Sequence, residues 1–262
     1  MPLISAAGRT FHVQRLGEGP PVALVHGLVI GNLATWFFGV APLLARRRSV
    51  LLYDQRGHGL SAPAESGFDL ATSSADLGSV LDAVGDGFDG PVDVVGHSYG
   101  GATALRFALD APGRVRKVVV LDAPLPPFDP AEVAAMMDDV DTEQLQGMLA
   151  MDRSRFSELA TRLAAGRGRR GARRADRARH LRDDTTVARD LMSEPPLGAA
   201  ELGGLAHPVL CLYGSTSPFR HRADELEAML PDARVVELEG GHLLPLQSPA
   251  EVGRAVEEFL DA

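Results

Sequence analysis

One serine of this chain stands where a side chain could act as a nucleophile. Ser98 is the centre of the pattern Gly-His-Ser-Tyr-Gly at positions 96–100, which directly follows the apolar run Val92–Val95. A serine at a sharp turn between a strand and a helix needs neighbours almost free of side chains, and the glycines two residues away on either side meet that need. The pattern therefore predicts a nucleophile elbow at Ser98, with a chance match as the alternative.

One histidine is the matching candidate for the general base. His242 follows two glycines in a loop after the predicted strand Arg234–Leu238, where neither a helix nor a strand would hide it. A lone loop histidine is usually only solvated. The order serine, then histidine, on a parallel sheet favours the catalytic interpretation, so we expect His242 to accept the proton of Ser98.

Two backbone N–H groups are candidates for an oxyanion hole. The predicted strand Val22–Val25 ends in His26 and Gly27, and the glycine allows a close approach of the backbone. The candidate donors are the amide of Leu28 and the amide of Tyr99, the residue after the serine. An ordinary turn is the alternative at His26 and Gly27.

A second acid and base pair lies in the glycine-rich loop at positions 54–59. Asp54 and His58 could exchange a proton, but polar residues in such loops commonly hold the loops together by hydrogen bonds. We therefore leave both outside the predicted site.

The elements that must position these groups alternate between strands and helices. Such alternation indicates a parallel sheet with helices on both faces. The helix Leu70–Val84 carries apolar residues at helical spacing, with Asp76 and Asp82 on its solvent face. The other predicted helices follow Ser98 and cover Ala223–Leu230 and Pro249–Leu260. The remaining predicted strands are Thr10–Leu16, Ser49–Tyr53, Lys117–Leu121 and Val209–Tyr213.

An insertion interrupts this alternation. Residues 128–205 show no strand pattern, so we divide the chain into an α/β core at 1–124 and 206–262 and a helical cap, or lid, at 125–205. A cap there would cover the sheet edge at which α/β proteins bind ligands. Phe128, Met136 and Met137 would then either face an acyl group or form the cap's own core. Eleven arginines fall between Arg153 and Arg182, and we interpret them as a solvated face rather than a site for an anionic partner.

Composition excludes several classes of protein. The chain has 262 residues, enough for one α/β domain with an insertion. A net charge of −9 argues against nucleic acid and membrane surfaces as partners. Cys211, the only cysteine, lies in an apolar run and is expected to be a buried small hydrophobe. The first residues show no leader pattern and no run is long enough to span a membrane, so we expect a cytoplasmic protein. We also expect a site that uses neither a metal nor a cofactor.

Taken together, these motifs resemble those of the α/β-hydrolase fold superfamily, in its cap-bearing esterase, thioesterase and haloperoxidase-like branch. The likeness covers nearly the whole chain and is weakest in the cap. A serine at position 98 separates the chain from the branches with an aspartate nucleophile, and many members carry a proline after the His-Gly pair that is absent here. The motifs are His26-Gly27, Asp54–Gly59, Gly96–Gly101 and Gly241-His242.

The resemblance makes the position of the triad acid an open question. Members usually place it in the loop after the strand Val209–Tyr213, but that loop, Gly214–Pro218, has no carboxylate. A minority take it from the end of the preceding strand, where this chain has Asp122. Many members keep a purely structural aspartate at that place. We predict Asp122 as the partner of His242, because an imidazole that becomes charged needs a nearby carboxylate, and we expect Ser217 to be dispensable.

The resemblance implies a serine hydrolase that cleaves a carboxylic ester or thioester through an acyl-enzyme, and it extends faintly to hydrolases of bacterial natural-product pathways. The substrate would be a small acyl compound, with a carrier-protein or coenzyme A thioester as one candidate. Two alternatives stay open at this point. One is an acyltransferase with the same triad, and the other is an inactive α/β-hydrolase-fold binding protein.

The interpretation of the arginines as a solvated face predicts a small effect of their removal. Replacing four or five arginines within 153–182 by glutamine should leave the KM for a neutral ester nearly unchanged, because exposed charges are screened beyond about 8–10 Å at physiological salt. Steady-state kinetics at two salt concentrations would measure this. A large, salt-sensitive loss with an anionic thioester would contradict the interpretation.

Overall fold

The centre of the molecule is an eight-stranded sheet. The computed structural model describes residues 2–29, 31–130 and 179–262, and the strands and helices belong to these parts of the chain. In chain order the strands are β1 (Leu3–Ala6), β2 (Arg9–Leu16), β3 (Pro21–Val25), β4 (Ser49–Tyr53), β5 (Val92–His97), β6 (Val115–Leu121), β7 (Val209–Gly214) and β8 (Ala233–Leu238). Their order across the sheet is β1-β2-β4-β3-β5-β6-β7-β8. Strands β3 to β8 run parallel, whereas β1 and β2 are antiparallel to their neighbours.

Helices cover both faces of this sheet. They are α1 (Ala34–Phe37), α2 (Val40–Leu44), α3 (Leu70–Val84), α4 (Tyr99–Asp110), α5 (Val187–Met192), α6 (Ala199–Leu202), α7 (His221–Met229), α8 (Leu244–Gln247) and α9 (Pro249–Asp261). Within the residues that the structure describes, none of these helices combines the length and the apolar character that a membrane span requires.

The two faces of the sheet form two separate apolar cores. Val94 and Val95 follow one another in β5, and because strand side chains alternate between faces they enter different cores. Val94 packs in the same core as Leu77 of α3, and Val95 in the same core as Trp36 of α1 and Val256 of α9. All three valines of this strand, Val92, Val94 and Val95, are fully buried. The prediction of a mostly parallel sheet covered on both faces is confirmed.

The predicted strand and helix boundaries lie within two residues of those observed, and α3 has the predicted bounds. Strand β1 and the short helices α1, α2 and α8 escaped prediction because four or five residues carry too little periodicity. The placement of Asp76 on the solvent face of α3 is wrong. Its side chain is buried and accepts hydrogen bonds of 2.8 Å from both Nε and Nη2 of Arg56, so a guanidinium replaces water as its partner.

The chain between β6 and β7 contains the predicted cap. Its described residues, 122–130 and 179–208, include helices α5 and α6 and no strand. Two carboxylates of this segment bind backbone amides at the start of α3. Asp190, in α5, accepts the Phe68 N–H at 3.1 Å, and Glu194, just after α5, accepts the Leu70 N–H at 2.9 Å. Burial raises the pKa of Glu194. Most of the predicted cap lies outside the described residues, including its methionines before Met192 and all but two of the eleven arginines between Arg153 and Arg182. The boundaries of the cap stay a prediction.

The turn from β5 into α4 leaves no room for side chains at its glycines. A Cβ atom on Gly96 would lie 2.0 Å from the carbonyl oxygen of Gly100, and one on Gly100 would lie 2.4 Å from the carbonyl oxygen of Val25. Both obstacles are backbone atoms that cannot rotate away. The glycines of the elbow are thus required by the close contact between β5, α4 and the neighbouring β3.

This crowding predicts a loss of stability on substitution. Gly96→Ala should lower the free energy of unfolding by about 1–3 kcal/mol or more, as overpacking does. Urea unfolding followed by circular dichroism would measure it. Gly113→Ala is the matched control, because a Cβ there meets nothing within 4 Å, and it should stay within about 0.5 kcal/mol of the parent. Equal stability of the two variants would contradict the steric explanation.

Candidate active site

The ends of two adjacent strands place Ser98 beside Asp122. Strands β5 and β6 are paired so that His97 lies opposite Leu121. One residue further on, the Ser98 N–H donates to the Leu121 carbonyl at 2.9 Å, and the Asp122 N–H donates to the carbonyl of Leu212 in β7 at 2.8 Å. Both side chains therefore leave the carboxyl edge of the sheet at neighbouring positions, where open α/β sheets bind their ligands.

Ser98 occupies a backbone conformation that serine rarely adopts. Its φ is 55° and its ψ is −131°. Residues other than glycine persist in this region only where the surroundings enforce it, and such residues cluster at functional sites. Gly27 lies directly opposite, since a Cβ on that residue would be 3.0 Å from the Ser98 Cβ. The loop after β3 thus approaches the serine as closely as atoms allow.

His242 connects the serine to the aspartate. Its Nε2 lies 3.1 Å from Ser98 Oγ, and its Nδ1 lies 2.6 Å from Asp122 Oδ2. The Asp122 side chain has no exposed surface, whereas that of His242 is 26% exposed. The structure therefore brings together the three side chains that the sequence proposed as nucleophile, base and acid, in a linear arrangement.

The contact with the Asp122 carboxylate fixes the tautomer of His242. The Gly214 N–H donates to the other carboxylate oxygen, Oδ1, at 2.9 Å. An ionised carboxylate can only accept hydrogen bonds, so the short contact with Oδ2 assigns the ring proton to Nδ1. The lone pair of Nε2 then points at Ser98 Oγ. This is the arrangement in which an imidazole can accept a proton from a hydroxyl group.

The two predicted oxyanion donors belong to segments that adjoin Ser98, the start of α4 and the loop after β3. Tyr99 is the first residue of α4, so its N–H has no partner within the helix. Leu28 directly follows Gly27, and the next residue, Val29, is held with a φ of 63° while its N–H donates to His58 Nε2 at 2.8 Å. His58 thereby orients the loop that carries the Leu28 amide, and the role of both amides stays a prediction.

The Asp54 side chain connects segments next to this loop. Its carboxylate accepts hydrogen bonds of 2.8 Å each from the N–H groups of Leu33 and Leu60 and from His12 Nδ1. Burial alone would raise the pKa of Asp54, but the neighbouring His26 and these hydrogen bonds lower it. These contacts agree with the interpretation of Asp54 as a residue that holds loops together.

Three further residues contact the site without having been proposed from the sequence. His97 donates from Nε2 to the His242 carbonyl at 2.8 Å, and burial, together with the nearby His242 ring, lowers its pKa to about 3. The Phe219 ring packs edge-on against the His242 ring, with 4.9 Å between centroids. Ser217 Oγ lies 2.5 Å from Asp122 Oδ2. Two of these residues could have been proposed from the sequence. His97 lies inside the nucleophile elbow, and Ser217 lies in the loop expected to hold the acid.

Comparison with known proteins places the chain in a family. Residues 22–255 match the model of the alpha/beta hydrolase family. The chain belongs to this family. A polyketide synthase of Burkholderia thailandensis, ThaQ, is 30% identical over 264 residues, which cover 97% of this chain but only 12% of the synthase. A 2-hydroxy-6-oxo-2,4-heptadienoate hydrolase of Pseudomonas putida is 37% identical over 124 residues, 46% of this chain and 44% of the hydrolase. The present chain therefore spans less than half the length of each of these two relatives.

Solved structures share the fold over the full chain. The naproxen esterase of Bacillus subtilis superposes with a TM-score of 0.74 at 20% sequence identity, over 99% of this chain and 90% of the esterase. Identity at this level supports a shared fold alone. The fold class predicted from the sequence, an α/β-hydrolase fold, is confirmed.

The contact between Asp122 and His242 predicts the effect of neutralising the acid. Asp122→Asn keeps the shape of the side chain but can donate to the ring and favour the wrong tautomer, so ester turnover should fall by about 10⁴-fold, as in serine-protease triads. Initial rates with p-nitrophenyl acetate would measure this.

Asp86→Asn is the matched control, because the Asp86 side chain is 87% exposed. It should turn over the ester at the parent rate. An Asp122→Asn variant within tenfold of the parent would show that His242 does not depend on this carboxylate.

Proposed function

We propose that this member of the alpha/beta hydrolase family is a serine hydrolase that cleaves a carboxylic ester or thioester through an acyl-enzyme. The observation that carries the proposal is the chain of contacts from Ser98 Oγ to His242 Nε2 at 3.1 Å and from His242 Nδ1 to Asp122 Oδ2 at 2.6 Å. A nucleophile within hydrogen-bond reach of a base, whose far side is held by a carboxylate, is the geometry that acyl transfer requires.

In the first half of the proposed reaction, Ser98 Oγ attacks the carbonyl carbon while its proton passes to His242 Nε2. The ring becomes a cation, and Asp122 stabilises that charge through Nδ1–H. The carbonyl oxygen becomes an oxyanion that the Leu28 and Tyr99 amides stabilise. Collapse of this intermediate breaks the bond to the leaving alcohol or thiol, which accepts from Nε2 the proton that Ser98 gave up. One oxyanion donor is typically worth about 10²–10³ in turnover.

In the second half, water replaces the leaving group. Nε2 of His242 accepts a proton from the water as its oxygen attacks the ester carbon on Ser98, and the same two amides stabilise the second oxyanion. The bond to Oγ then breaks, Oγ recovers the proton, and the carboxylic acid leaves. His97 stays neutral throughout, because its pKa of about 3 lies far below that of an ordinary imidazole.

Two observations support an apolar acyl group as the substrate. Phe128 is buried, with its ring 6.1 Å from the ring of Tyr99, which directly follows Ser98, and the Phe219 ring packs edge-on against the His242 ring. The match of almost the whole chain to a segment of a polyketide synthase favours an acyl compound from natural-product metabolism. We accordingly propose such an ester or thioester as the substrate class.

A fluorophosphonate probe tests the nucleophile without knowledge of the natural substrate. The parent protein should be labelled on the peptide that contains Ser98, because the activated Oγ attacks phosphorus as it would a carbonyl carbon. Ser98→Ala should keep the fold, lose all labelling and lose ester turnover. Peptide mass spectrometry and p-nitrophenyl acetate hydrolysis would measure both.

The matched control is Ser215→Ala, the same change at an exposed serine of the β7–α7 loop, which should leave labelling unchanged. Ester turnover by a folded Ser98→Ala variant at the parent rate would overturn the proposal. A folded parent protein that neither takes up the probe nor hydrolyses esters would instead indicate a binding protein.

A further inference from the structure

The carboxylate of Asp122 is held by a single tight turn. The turn follows β7, where the Ser217 N–H donates to the Gly214 carbonyl at 3.0 Å. Its first residue, Gly214, donates its N–H to Asp122 Oδ1 at 2.9 Å, and its last residue, Ser217, places Oγ 2.5 Å from Asp122 Oδ2. One turn therefore supplies a donor to each oxygen of the carboxylate.

The Ser217 hydroxyl donates its proton to Asp122, because an ionised carboxylate can only accept hydrogen bonds. A lone pair of the same oxygen accepts the Phe219 N–H at 3.1 Å. The Phe219 ring packs on the His242 ring. Ser217 Oγ is therefore hydrogen-bonded both to Phe219, which packs against the His242 ring, and to Asp122, which binds that ring.

Burial makes this hydroxyl matter to the charge on Asp122. The carboxylate has no exposed surface, so water cannot replace a missing donor. Its described donors are the Gly214 amide, the Ser217 hydroxyl and the His242 ring. The ring and the hydroxyl share Oδ2, and the loss of the hydroxyl would leave the ring as the only described donor to that oxygen.

We propose that Ser217 is a positioning residue of this site: its hydroxyl fixes and stabilises the Asp122 carboxylate so that Oδ2 holds the His242 ring in the tautomer that activates Ser98. The proposal rests on the serine hydrolase function proposed above. It differs from the expectation that Ser217 is dispensable, because the loop without an acid supplies a hydrogen-bond donor to an acid at the end of the neighbouring strand.

The rate of fluorophosphonate labelling of Ser98 is the readout, since it reports the reactivity of the nucleophile directly. Ser217→Ala should label about tenfold more slowly than the parent, because a hydrogen bond to a charged group is removed. Ser217→Thr, which keeps the hydroxyl, should recover most of that rate. Ser215→Ala, two residues away and exposed, should label at the parent rate.

A double-mutant cycle separates positioning through Asp122 from general support of the loop. In an Asp122→Asn background the carboxylate charge is already lost, so adding Ser217→Ala should slow labelling by less than about threefold. Should Ser217→Ala fail to fold, Ser217→Cys enters the same cycle, since it keeps the size of the side chain and replaces the hydroxyl by a weak donor.

Equal slowing by the Ser217 substitution in both backgrounds would overturn the proposal, and so would labelling of Ser217→Ala at the parent rate. The two proposals fail in different ways. If the parent protein is not labelled at Ser98, the serine hydrolase function fails. If Ser98 is labelled but Ser217→Ala reacts as the parent does, only the role of Ser217 fails.

Discussion

The site depends on one buried contact, the hydrogen bond between the Asp122 carboxylate and the His242 ring. A carboxylate with no exposed surface is stable as an anion only if protein groups replace its water. Those groups come from two parts of the chain, the turn Gly214–Ser217 after β7 and the loop that carries His242 after β8. The order β5-β6-β7-β8 brings both loops to the end of β6. A change in the pairing of these strands would remove the partners of Asp122 and leave His242 without a fixed tautomer.

The same sheet edge enforces two strained residues. Ser98 and Asp122 have φ angles of 55° and 50°, both in the left-handed region that residues with side chains seldom occupy. Each is the first residue beyond its strand, and each donates its N–H to the neighbouring strand, to Leu121 and to Leu212. The sheet therefore holds both turns in place, and the strain directs both side chains toward His242.

What could be predicted from the sequence follows from how local each signal is. The elbow at Ser98 and the helix α3 are local patterns, and both lie where the sequence predicted them. The surroundings of Asp76 in α3 were not predictable, because its partner Arg56 is 20 residues away in the loop after β4. The contact between Ser217 and Asp122 joins residues 95 positions apart. The sequence places Ser217 in the loop expected to hold the acid, but its pairing with Asp122 arises because β6 and β7 are neighbours in the sheet.

The central claim is that Ser98 forms a covalent bond to an acyl group, and isolation of that intermediate tests it most directly. The parent protein would be mixed with a panel of acyl esters and thioesters, quenched in acid within milliseconds and digested for mass spectrometry. The account predicts that the peptide with Ser98 gains the mass of the acyl group, and that the gain disappears as substrate is consumed. Consumption of substrate with no acylated peptide, or with the acyl group on Cys211 instead, would contradict it.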